Sequence, residues 1–123
     1  MAMVKSAEDI GPPPQALMDA IAKGGEQAAR SGVLVMTGGL APTAMSTRVR
    51  ASRGKLTVTD GPFTETKEAV GGFAVLELSS KEEAIEQARW LMQLHIEHWP
   101  EWEGETEVRA IVGAPEPARG TQP

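Results

Sequence analysis

Few residues of this chain are able to do chemistry, and the most informative stands in Asp60-Gly61-Pro62-Phe63, where a carboxylate meets two backbone specialists and an aromatic ring, Phe63, expected to insert into the core. Gly61 can take backbone angles closed to other residues, and Pro62 fixes its own φ while steering Gly61 away from the helical region. Asp60 is thereby held in a set direction. At a strand end, such a carboxylate can act as general acid or base, or orient a histidine, where a cleft shifts its pKa. It can equally serve as a turn cap that accepts backbone N–H bonds. The other titratable candidates are His95 and His98. His95 falls near the C-terminal end of an apolar helical stripe, so proton transfer is weighed there against packing and interaction with the helix dipole. As a metal pair the two histidines are poor. Pro100 stops the helix before Glu101 or Glu103 can join their face, and no cysteine is present to complete a shell. Neither a metal nor a cofactor is expected.

Arg48, Arg50, Arg53 and Lys55 place four positive charges within eight positions. Strand alternation sets Arg48 and Arg50 on one side, which suits either an anionic ligand or an ordinary solvated hairpin face. No aromatic residue interleaves them, and 12 basic against 17 acidic residues give a net charge of −5, so nucleic acid is not an expected partner. Trp90, Trp99 and Trp102 suit a pocket for a flat ligand, or packing in the core or a dimer interface. The lack of cysteine excludes disulfides and thiolate nucleophiles. No serine lies in a nucleophile-elbow pattern, and Gly38-Gly39 and Gly71-Gly72 lack the context of phosphate loops. No window reaches the apolar length of a bilayer span, and the N-terminus lacks a signal-peptide pattern. The expected compartment is the cytoplasm, without membrane contact.

The elements that must position these residues follow from periodicity. Met1 to Ser6 reads as a strand, and a helix over 14–31 carries Leu17, Ile21 and Ala28 on one face, with Gly24-Gly25 interrupting it. Val33 to Met36 reads as a core strand buried on both faces. Thr47 to Ala51 and Lys55 to Thr59 alternate around Ser52-Arg53-Gly54 as a hairpin leading into Asp60. Phe73 to Leu78 is a further strand, Ser80 with Glu83 opens a helix striped by Ala84, Ile85, Ala88, Leu91, Met92 and His95, and Thr106 to Val112 alternates as a last strand. The order strand, helix, strand, hairpin, strand, helix, strand is that of an α+β, ferredoxin-like split βαβ unit with an inserted β-hairpin. The length fits one domain, set at 3–112, followed by a proline-rich tail at 113–123. Two helices cover one sheet face, so the other face calls for a homodimer.

Val58 to Glu68 with Gly71-Gly72-Phe73, Ser31 to Leu34, and Gly38 to Pro42 together resemble the YCII-related family, in the subgroup named for its DGPF motif. The resemblance covers roughly residues 3 to 112. It implies a ferredoxin-like fold that dimerises into an α/β barrel, with an acid or histidine site in a cleft. Taken with the residue readings above, it points to a small-molecule ligand near the corner, with Asp60, Gly61, Pro62, Phe63, Arg48 and Arg50 as candidate contacts and Asp60 and His95 as candidate catalytic groups. Family histidines of this kind stand early in the chain, whereas none here precedes position 95. Two functions are left open. One is a ligand-binding or regulatory dimer; the other is a cofactor-independent enzyme, of lyase or isomerase type, moving a proton on a small polar or aromatic substrate.

Overall fold

The computed structural model describes residues 1–63 and 67–113. The chain runs β1 (Ala2–Ser6), α1 (Gln15–Arg30), β2 (Leu34–Gly39), β3 (Thr47–Ser52), β4 (Lys55–Asp60), β5 (Ala69–Leu76), α2 (Lys81–His98) and β6 (Gly104–Val108). Four strands form one antiparallel sheet in the order β2-β5-β1-β6, and β3 with β4 forms a separate two-stranded ribbon. β5 is antiparallel to both β1 and β2, so those two run parallel with a strand between them. This is the split βαβ arrangement expected from the element order, with β3–β4 inserted as a hairpin between β2 and β5.

Each helix is placed by local chemistry. Pro14 is the extended residue from which α1 starts, and the last turn of the helix is closed by the Ser31 N–H donating to the Gln27 carbonyl and the Gly32 N–H donating to the Ala29 carbonyl. The helix continues through Gly24-Gly25 without a break, because Gly24 is where it meets α2. A Cβ at Gly24 would stand 2.1 Å from Cζ2 of Trp90, so the missing side chain is the seat of that indole. Glycine there costs about 1 kcal/mol of helix propensity relative to alanine, and the close crossing is what it permits. At the start of α2 the Ser80 hydroxyl accepts from the Glu83 N–H at 3.2 Å, while the Glu83 carboxylate takes the N–H and hydroxyl of Ser79. The anticipated capping box is thus present, with the return contact one residue earlier. α2 ends at His98, ahead of Pro100, whose ring cannot continue a helix.

Register sorts the sheet into two unlike faces. Thr37, Ala74, Ala2 and Val108 lie in one row across the four strands, and Gly39, Gly72, Val4 and Thr106 in the next. These small residues face the helices. On the opposite face Phe73, Met3 and Glu107 form a row with Gly38, and the Phe73 ring occupies the space a Gly38 side chain would need. Lys5 and Glu107 make an ion pair on that face at 2.6 Å, and Arg109 binds the other Glu107 oxygen.

Two expectations are corrected. β2 is the sheet edge rather than a core strand, and Val35 and Met36 are exposed, the former at an irregularity where pairing with β5 skips a residue. An apolar run by itself does not distinguish a strand buried within its own chain from one that awaits cover. The last strand stops at Val108; Ala110 to Val112 lie beyond the ladder, and Arg109 still reaches Met1, its N–H donating to the Met1 carbonyl and its carbonyl accepting from the Met1 ammonium. Of the tail drawn at 113–123, residues 114 onward lie outside the described set.

Candidate functional site

The small residues on the helix side of the sheet leave space beneath the helices. An apolar cavity of about 570 Å³ opens between the first turns of α1, the last turns of α2 and the sheet. Leu17, Met18 and Ile21 wall it from α1, Leu91 and His95 from α2, and Gly39, Gly72 and Ala74 form part of the floor. Gly39 and Gly72 are therefore floor without side chains. Leu40 holds the rim by donating its N–H to the Gly71 carbonyl at 3.0 Å.

His95 is the polar group of this wall, and it is 7% exposed. Its Nδ1 lies 2.8 Å from the Leu91 carbonyl. A carbonyl only accepts, so Nδ1 carries the proton and, in the neutral ring, Nε2 is the unprotonated nitrogen. Nε2 has no hydrogen-bond partner among the described residues. The Trp102 ring stands 4.3 Å from the imidazole, and Trp99 stacks on Trp102 at 6.3 Å, so two of the three tryptophans support the histidine and line the cavity. Trp90 serves elsewhere, in the α1–α2 crossing. Such a wall can accept one hydrogen bond from a ligand, or take a proton from it, beside a flat apolar surface.

Glu8 also borders the cavity, but both of its oxygens are committed: one accepts from the Thr43 N–H at 2.7 Å, the other from the Thr43 hydroxyl at 2.6 Å. This clamp anchors the short 3₁₀ turn Thr43–Met45, from which the hairpin springs. No local sequence pattern points to it, since the partners are far apart in the chain.

A second cavity, of about 790 Å³, lies farther along the same layer, between Gly25, Ala28 and Leu34 on one side and Ala88, Trp90 and Thr106 on the other. Thr106 Oγ1 is buried and has no hydrogen-bond partner. Sequence reading missed this residue as a candidate. The available signal was the recurrence of glycine, alanine and threonine at every second position of three strands.

Asp60 lies elsewhere. It ends β4 on an exposed hairpin, and its Oδ1 accepts the Thr47 hydroxyl at 2.9 Å across the ribbon. It is not among the walls of the His95 cavity. The corner itself is tightly built: the Gly61-Pro62 bond is cis, the Gly61 N–H donates to Ser46 at 2.8 Å, and a Cβ at Gly61 would fall 1.7 Å from the Thr43 carbonyl oxygen. Phe63 is buried, as expected, with the Arg48 guanidinium 3.6 Å above its ring centroid. Arg48 and Arg50 do share one ribbon face; Val49 and Val58 pair on the other, together with Asp60. The structure therefore groups Asp60, Gly61, Pro62, Phe63 and Arg48 around the hairpin base, and it leaves His95 in a different place. Among the described residues no group of three or more His, Cys, Asp or Glu side chains is disposed to hold a metal, and no helix is long and apolar enough to cross a membrane.

Comparison with known proteins is consistent with this architecture. Residues 1–93 match the YCII-related domain. An uncharacterised protein of Rhizobium meliloti (strain 1021) is 44% identical over 50 residues, a stretch that spans 41% of this chain and 40% of that protein. The match to this relative therefore covers less than half of either protein. With the domain matched over most of its length, the chain belongs to the YCII-related family.

Proposed function

We propose that this protein binds a small molecule in the His95 cavity and does so as a homodimer. One observation carries the binding half: a buried imidazole has spent Nδ1 on its own helix and keeps Nε2 unpaired in an apolar wall. That nitrogen can accept one hydrogen bond, and a ligand hydroxyl or N–H in the cavity supplies the donor. The dimer half is supported by apolar surface that a single copy leaves in water. Met3, Phe73 and Val75 line the helix-free sheet face, and on the hairpin Val49, Leu56 and Val58 are 67, 76 and 66% exposed. A two-stranded ribbon is marginal in water by itself, so a surface must cover it. Pairing of the DGPF type, into a dimeric α/β barrel, would supply one.

In this reading the Asp60 corner sets the direction of the hairpin, and His95 meets the ligand. The test is ligand-induced stabilisation against a metabolite library, followed by His95→Phe on any hit. The variant is expected to bind at least tenfold more weakly with its circular dichroism intact. Equal binding would end the proposal. Sedimentation equilibrium tests the dimer, and a monomer at micromolar concentration rules it out.

The unprotonated Nε2 also favours a second reading, in which His95 takes a proton from the bound molecule without a cofactor. Asp60 joins such chemistry only if two-fold pairing brings the hairpin of a second copy to the cavity. Exchange of ligand protons in heavy water, lost in His95→Phe, distinguishes catalysis from binding alone.

A further inference from the structure

The two cavities share five walls: Ala2, Ala74 and Thr37 below, Ile21 and Leu91 above. The division between them is thus one side chain from each helix standing over two alanines and a threonine. Ile21 and Leu91 are both only half-buried, so neither is locked by packing. We infer that the two cavities are one elongated site, and that its ligand is a neutral amphiphile: a narrow apolar body lying along the helix–sheet layer with a hydrogen-bond-donating head on His95 Nε2. The inference rests on the proposed binding role of His95 and adds the shape and charge of the ligand.

Charge decides the head group. Among the described residues neither cavity is walled by a lysine or arginine, and the one carboxylate in their walls, Glu8, is engaged with Thr43. A carboxylate or phosphate head would enter an apolar layer without a cation to receive it. A hydroxyl loses far less on transfer and gives Nε2 the donor it lacks. Length is set by the walls beyond the shared five, which are mostly alanine, glycine, leucine and valine with the Trp90 ring, a lining for an alkyl chain or a narrow ring system, with the uncharged polar residues Gln27, Ser31, Gln87 and Thr106 among them. Thr106 Oγ1, buried and without a partner among the described residues, is a further point at which a polar substituent on that body would be matched.

The straight-chain primary alcohols from butanol to dodecanol, each below its solubility limit, test the inference by calorimetry on the full chain. A continuous site makes affinity rise roughly fourfold per added methylene through the whole series. A plateau among the shorter members means two separate cavities and overturns the elongated site while leaving the His95 proposal standing. Dodecanol should bind at least tenfold better than dodecanoate at alkaline pH, and equal binding of the two overturns the neutral head. Ala74→Leu, which enlarges the floor under the division, is expected to flatten the series beyond its shorter members; Ala2→Val checks the same point should that variant fold poorly. His95→Phe should lower every member by the same factor and keep the methylene slope. A slope retained with no offset refutes the head-group contact and, with it, the binding role of His95.

Discussion

The Asp60 corner and the His95 cavity hold the two titratable groups on which this molecule's chemistry would turn, and they are built in opposite ways. At the corner every special feature is used locally: Gly61 lets the chain approach Thr43, Phe63 fills a buried position under Arg48, and Asp60 gives its Oδ1 to Thr47. At the cavity the surroundings are ordinary helix and sheet, yet His95 is buried with one ring nitrogen unspent. A dense motif shows where the backbone is constrained. An unspent polar atom shows where the molecule can still bind something.

The largest effect that would break this contrast is at Phe63. If the corner is structural, Phe63→Ala removes a buried ring and should cost about 3 to 5 kcal/mol in urea denaturation. A cost below about 1 kcal/mol would mean that the ring packs on little, and the corner would then be free for another role. Next in size is Gly24→Ala, which drives a methyl group into the Trp90 indole. Overpacking of this kind typically costs about 1 to 3 kcal/mol, set against the roughly 1 kcal/mol that alanine gains in helix propensity. A net loss of stability is expected, and a net gain would show that the helices part easily. Asp60→Asn is smaller still, because an amide oxygen can accept the Thr47 hydroxyl at an exposed site; a change within about 0.5 kcal/mol is expected. Loss of ligand response in that variant, with stability kept, would return the chemistry to the corner.

Much of the fold was legible in the sequence because local rules set it. The hairpin bounds follow from alternation plus Arg53-Gly54, both of which take positive φ as a two-residue turn requires, and α2 from Ser80, Glu83 and Pro100. Phe63 was read as buried, and it is. What depended on distant pairing was harder. Val33 to Met36 looked like an interior strand, since hydrophobicity reports that a surface wants cover and not whether the same chain supplies it. The candidate site was half legible: His95 stood out as a histidine on an apolar stripe, but its free Nε2 depends on a tautomer fixed by Leu91 and on a floor of small residues from three strands. No single segment carries that information.

The smallest expected effect concerns a third region, the helix-free sheet face, and it makes the contrast sharper by removing a confounder. Glu107 is held below its ordinary value of 4.5, chiefly by its hydrogen bond to Lys5 and then by Arg109. Lys5 is raised above 10.5 by the same bond. A lowered carboxylate contributes stability that is complete above its unfolded pKa and is lost as pH falls through the folded one. A raised lysine contributes stability that is complete below its unfolded pKa and is lost as pH rises through the folded one. Between about pH 5 and 9 both contributions are therefore flat. Urea denaturation of the native chain and Glu107→Gln should differ by a constant, small amount across that range, and the difference should shrink under more acidic or strongly alkaline conditions. The pair is partly exposed, at 29 and 28% of its side-chain surface, so salt should weaken the difference further. Any change of ligand affinity within that range then has to come from a group other than this pair. A stability difference that varied through neutral pH would show that Glu107 is coupled to a group beyond Lys5 and Arg109, and the pair could no longer be set aside when affinities are compared across pH.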